Sequence, residues 1–179
     1  IDFSFQILYN TKKENRSEEE KNMKILFQGD SITDGNRYKS RASEWDKNHQ
    51  IGHSYAYIVT GLLGLAFPER HYEFVNRGVS GSQTENLLAR WEEDALAPDP
   101  DVLSVLVGIN DCLFHGSAGI WDLSAADYER NYRRILTLSK EKNPALKIIL
   151  LEPFAHIAGQ KNAAAPAVVR EAILKQEQK

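Results

Sequence analysis

Apolar and polar positions along this chain fall into short blocks that predict strands and helices in alternation. The run Lys24–Gln28 (KILFQ) stops at Gly29 and reads as a buried strand. His53–Phe67 reads as a helix closed by Pro68, with Tyr57, Gly61, Leu62 and Leu65 on similar faces. Tyr72–Asn76 (YEFVN) is a second strand running into the turn-rich NRGVSGS. Thr84 is the predicted cap of the next helix, which carries Leu87, Leu88 and Trp91 at helical spacing and ends before Pro98. Val102–Val107 (VLSVLV) is a third strand, nearly all apolar, as a parallel strand covered on both faces should be. Ser124 opens a long amphipathic helix through Tyr128, Tyr132, Ile135 and Leu138 to about Lys142. Lys147–Leu151 (KIILL) is a fourth strand, and a last helix runs from about Ala164 to the end. Strands alternating with helices of this length predict a three-layer α/β/α sandwich around a parallel sheet. Ligands of such sheets bind at the carboxyl ends of the strands.

The ends of the chain change this picture. The only methionine is Met23, immediately before the first strand. Residues 1–22 pair an alternating segment (Phe3, Phe5, Ile7) with a charged stretch from Lys12 to Lys21, and are expected to form a weakly attached or disordered tail. Upstream read-through, an added sequence and a genuine extension all remain open for it. Residues 23–179 are expected to form one domain, since 179 residues suit a single core.

Composition narrows the function classes. A formal net charge of -3 argues against an electrostatic grip on nucleic acid or a membrane surface. No apolar run approaches the roughly 20 residues that span a bilayer. The lone Cys112 builds no disulfide framework and fits a reducing compartment. The N-terminus does not resemble a secretory signal, so a cytoplasmic setting is expected.

The chemistry concentrates just after the strands. Gly29-Asp30-Ser31-Ile32-Thr33-Asp34-Gly35 follows the first and can hold a serine hydroxyl exposed at the sheet's edge. A turn or a helix N-cap explains the same residues without catalysis. This is not a G-x-S-x-G elbow. Asn76-Arg77-Gly78-Val79-Ser80-Gly81-Ser82 follows the second strand into a helix, where glycines free backbone N–H groups to meet an anion. A glycine-rich connection with no ligand is the plain alternative. Gly108-Ile109-Asn110-Asp111 follows the third, and its carboxamide can donate to an oxyanion without acting as a base. An Asx-turn is the plain reading there. Each motif is weak alone; three of them at one end of consecutive strands form a coherent signal.

Together, GDSIT, the N-x-G-x-x-G segment and GIND resemble the first three blocks of the SGNH, or GDSL-type, serine hydrolases. GDSITDG, NRGVSG and ARWEEDALAPDPD look most like those of acetylxylan esterases and related carbohydrate deacetylases. The likeness runs from about Met23 to the last helix. It implies a flavodoxin-like sandwich with five parallel strands, of which four are predicted here. It implies Ser31 as nucleophile, an oxyanion hole from the Ser31 N–H, the Gly81 N–H and the Asn110 side chain, and supporting roles for Asp30 and Asp111. It also implies a fourth block, D-x-x-H, whose histidine takes the serine's proton. That block, with a fifth strand and closing helix, is expected beyond Lys179, so the chain reads as a fragment that is nearly inactive by itself.

Asp46-Lys47-Asn48-His49 is formally a D-x-x-H. Family order places that block last and commonly follows it with Pro, whereas Gln50 follows here, so a working dyad is not expected. His53 should open a helix, His71 should sit at the surface, and His115 and His156 fall near the active end of the sheet. None shows a metal-ligand spacing, and neither metal nor cofactor is expected.

The resemblance therefore implies an ester hydrolase acting on a small ester, with an acetylated sugar as substrate, no nucleic-acid or membrane partner, and homo-oligomerisation left open. Tyr38, Trp45, Phe114 and Trp121 could stack on a sugar ring or serve as core. The family also holds lysophospholipases and thioesterases. A glycan-binding pseudoenzyme is a rival from another class. A flavodoxin-like nucleotide binder ranks last, because no phosphate-binding glycine motif is present.

Overall fold

The computed structural model describes residues 22–39, 47–113 and 125–153. Within them lies one sheet of four parallel strands: β1 (Lys24–Gly29), β2 (Glu73–Asn76), β3 (Val102–Leu106) and β4 (Lys147–Leu150), in the order β2-β1-β3-β4. Leu26 stands opposite Val75 on one side and Leu103 on the other, and Leu103 stands opposite Ile148. β1 and β3 are paired on both edges and covered on both faces, which is why their sequences are almost continuously apolar.

Alternation along the strands divides the core in two. Leu26, Leu103 and Val105 face the helices α4 (Thr84–Ala89) and α6 (Ala125–Lys142), against Leu87, Trp91 and Ile135. Trp91 is 1% exposed and its indole N–H donates to Ser139 Oγ at 3.0 Å, so its polar atom is satisfied where its ring is buried. Ile25 and Phe27 face α3 (Tyr55–Ala66), against Ala56, Val59 and Leu63. The short α1 (Ser31–Asp34), α2 (Lys47–Ile51) and α5 (Ile109–Leu113) complete the described α-helices.

Several boundaries differ from expectation for definable reasons. The helix expected from His53 begins at Tyr55, because Ser54 caps it: the Ser54 hydroxyl accepts from Ala56 N (3.2 Å) and donates to Thr33 O (2.9 Å). The Tyr57, Leu62 and Leu65 side of that helix points outward, with Leu65 82% exposed, while Ala56, Val59 and Leu63 meet the sheet. Both rows satisfy helical spacing in a segment that is apolar nearly all round, so periodicity could not choose between them. Gln83, not Thr84, is the N-cap of α4. Gln83 forms a capping box with Asn86, while the N–H and hydroxyl of Thr84 are held by Asp111. The helix expected to reach Pro98 is divided, with a π-turn at Glu92–Leu96 after α4. β4 is an edge strand among the described residues, with Ile149 and Leu150 about half exposed. Ser124 and the helix expected from Ala164 lie outside the described residues. No helix among the described residues is long and apolar enough to cross a membrane.

Candidate active site

The site begins where β1 runs out. Gly29 presses against the carbonyl of Leu106 and against Thr33, leaving no room for a side chain. The chain then turns into α1 with Asp30 as its N-cap: Asp30 Oδ1 accepts from Ile32 N at 2.9 Å, and the Asp30 carbonyl accepts from Thr33 N and Asp34 N. Ser31 is thereby the first helical residue, one place beyond the cap. It is exposed, and neither its N–H nor its hydroxyl has a hydrogen-bond partner among the described residues. Burial raises the Asp30 carboxyl to about 6, and the nearby Asp111 charge adds to the effect.

The turn after β2 packs directly onto this one. Asn76, 5% exposed, donates through Nδ2 to Thr33 O (2.7 Å) and Ile51 O (2.8 Å) and accepts from Gly78 N (2.8 Å). Val79 N donates to Gly29 O at 3.0 Å. Ser80 donates to Asp34 Oδ2 through both its backbone N (3.0 Å) and its hydroxyl (2.8 Å). Ser82 N turns back to Val79 O at 3.1 Å. Gly81 lies between these two committed amides, exposed and at φ 81°, and its N–H has no acceptor among the described residues.

The third strand end closes against the second. Asn110, 7% exposed, donates from Nδ2 to Ser82 O at 2.9 Å, which leaves one carboxamide N–H uncommitted. Asp111 accepts from Thr84 N (3.0 Å) and Thr84 Oγ1 (2.6 Å), fixing the start of α4 beside α5. Burial raises the Asp111 carboxyl, and the Thr84 bonds only partly oppose this. Asp30 and Asp111 are thus structural acceptors behind the exposed groups.

The three strand-end motifs therefore meet, as the carboxyl ends of a parallel sheet require. Together they carry an exposed hydroxyl and three N–H groups with hydrogen-bonding capacity to spare. Such donors stabilise a tetrahedral oxyanion next to a nucleophile. Asn76 and Asp34 tie the turns together, yet the sequence reading gave neither a role. The signal for them was slight, since a buried Asn or Asp looks like any turn residue until its distant partner is known.

Other expectations resolve less fully. His49 is exposed on α2 with its ring 6.3 Å from that of His53, and Asp46 lies outside the described residues. His71 is exposed at φ 46°, while His115 and His156 lie outside the described residues. Tyr38 is 49% exposed; Trp45, Phe114 and Trp121 also lie outside. Among the described residues no group of three or more His, Cys, Asp or Glu side chains could hold a metal ion.

Comparison with known proteins adds an independent line. The model of the GDSL-like Lipase/Acylhydrolase family matches residues 27–177. An acetylxylan esterase of Geobacillus stearothermophilus is 36% identical over 132 residues, covering 73% of this chain. The match spans 59% of that esterase's own length. A crystal structure from Parabacteroides merdae, described as a GDSL-like lipase, superposes with a TM-score of 0.73 at 32% identity, covering 87% of this chain and 75% of the other. A catalytic mutant of the Geobacillus stearothermophilus acetylxylan esterase superposes with a TM-score of 0.71 at 33% identity, covering 86% and 70%. Its catalytic mutants replace an aspartate, a histidine or a serine with alanine.

Proposed function

The chain belongs to the GDSL-like lipase/acylhydrolase family, and we propose that it is a serine ester hydrolase cleaving short-chain, chiefly acetyl, esters of carbohydrate. The observation that carries this reading is Ser31, exposed at the head of α1 and without a hydrogen-bond partner among the described residues, on a turn joined to those that carry the uncommitted N–H groups of Gly81 and Asn110. Ser31 Oγ attacks the ester carbonyl carbon. The carbonyl oxygen takes up negative charge, which the N–H groups of Ser31 and Gly81 and the Asn110 carboxamide receive. Collapse of that intermediate expels the sugar hydroxyl and leaves an acyl-serine, which water then hydrolyses.

The proton from Ser31 needs an acceptor, which the reading assigns to a histidine that hands it on to the departing sugar oxygen. The similar esterase supports this assignment through its aspartate, histidine and serine catalytic mutants. The preference for an acetylated sugar likewise rests on similarity to acetylxylan esterase.

Hydrolysis of an aryl acetate by the full-length protein and by its Ser31→Ala variant tests the reading. The full-length protein is expected to be active, with Ser31→Ala lowering turnover on the order of a million-fold. A folded full-length protein that binds acetylated oligosaccharide without turnover would replace the reading with a glycan-binding one.

A further inference from the structure

Asp34 is buried at 1% exposure, yet it belongs neither to the exposed hydroxyl nor to the three donor groups. Its carboxylate joins two turns that sequence keeps far apart. Oδ2 accepts both bonds from Ser80 and lies 3.1 Å from Lys39 Nζ, and Oδ1 accepts from Arg37 N at 3.2 Å. Arg37 completes the clamp, its Nε donating to Gly78 O at 2.9 Å. Burial opposes the charge, but the two Ser80 bonds and Lys39 outweigh it and hold the carboxyl below its usual range.

This clamp grips the residue before one amide, and the turn's own backbone grips the residue after it. Ser80 N points to Asp34 and Ser82 N to Val79 O, so the peptide between them is aimed by its neighbours. Among the described residues, chain neighbours aside, no heavy atom lies within 4 Å of where a Gly81 side chain would stand. At φ 81° the backbone sits in a region that a glycine samples freely, so the conformation needs an external constraint.

We propose that Asp34 is a positioning residue for ester hydrolysis, fixing the Ser80–Gly81 turn so that the Gly81 N–H faces the oxyanion. The inference rests on the assignment of Gly81 to the oxyanion hole. A donor displaced by about 1 Å loses most of its effect on a transition state while affecting substrate binding little. Removing an oxyanion donor outright lowers kcat roughly 100- to 1,000-fold, and misaiming one should cost less.

In the full-length protein, Asp34→Asn is expected to lower kcat about 10- to 100-fold with KM within about twofold. Affinity for a boronic acid, which forms a tetrahedral adduct on serine, should fall in parallel. The amide resonance of Gly81 should also shift. Wild-type kcat in a folded Asp34→Asn protein would overturn the inference, as would a raised KM at unchanged kcat. Ser80→Ala alters only an exposed side chain and gives a second test if Asp34→Asn does not fold. It should move the Gly81 resonance and lower kcat by less, and no change in either would overturn the inference. Ser31→Ala separates the two ideas: full activity in that variant removes both, whereas its inactivity beside a fully active Asp34→Asn removes only this one.

Discussion

Asp30 serves two opposed demands. Its carboxyl caps α1 through Ile32 N, which favours charge, but only 1% of the residue is exposed and Oδ2 finds no partner among the described residues, which disfavours charge. The second demand wins, raising the carboxyl from 3.8 to about 6. A folded state that holds its proton more tightly than the unfolded state is favoured below about pH 4. It loses that advantage as pH rises through about 6, by on the order of 2–3 kcal/mol. Asparagine keeps the cap without the charge. Urea unfolding between pH 4 and 7 should therefore show Asp30→Asn gaining on the wild type by that amount, and parallel pH profiles would contradict the argument. At this scale local motifs and the resemblance they carry were enough to single out Ser31, Gly81 and Asn110 for their proposed roles. It was silent on Asp34 and Asn76, whose partners Ser80 and Thr33 lie 46 and 43 residues away.

The helix α3 shows what an element's pattern can and cannot convey. That Tyr55–Ala66 is helical was legible from its apolar spacing and its closing proline. Its inward face was not, because apolar residues occupy both sides. Gly61 and Gly64 fall on the outer side, where among the described residues an added Cβ would meet nothing within 4 Å beyond the helix itself. Glycine inside a helix costs about 0.5–1 kcal/mol relative to alanine. Gly61→Ala and Gly64→Ala should each raise stability by that amount in thermal or denaturant unfolding, with no change in turnover. A loss of stability would mean that those positions are covered. The four strands were legible as short apolar runs, and their observed ends differ from the expected ones by a residue or so, where pairing stops.

The molecule as a whole is organised so that its two cores set one rim. The larger core joins β1, β3, α4 and α6 through Trp91, and the α4 end of that assembly carries the Thr84–Asp111 link next to Asn110. Trp91→Ala would empty a fully buried site and leave Ser139 Oγ without its indole donor, so it should cost about 3–5 kcal/mol. That is a large part of the 5–15 kcal/mol that typically separates folded from unfolded states, and a cost below about 1 kcal/mol in urea titration would argue against this core. The parallel three-layer plan was evident from alternation alone; the joining of its strand ends into one site depends on contacts that only the folded chain reveals.

In the proposed reaction Ser31 attacks the ester carbon and carries the acyl group. Mass spectrometry of the full-length protein, quenched during turnover of an aryl acetate and digested, tests it most directly. An acetyl group is expected on the peptide containing Ser31, with no acetylation of that peptide in the Ser31→Ala variant. Turnover accompanied by acetylation at another residue, or undiminished in Ser31→Ala, would contradict it.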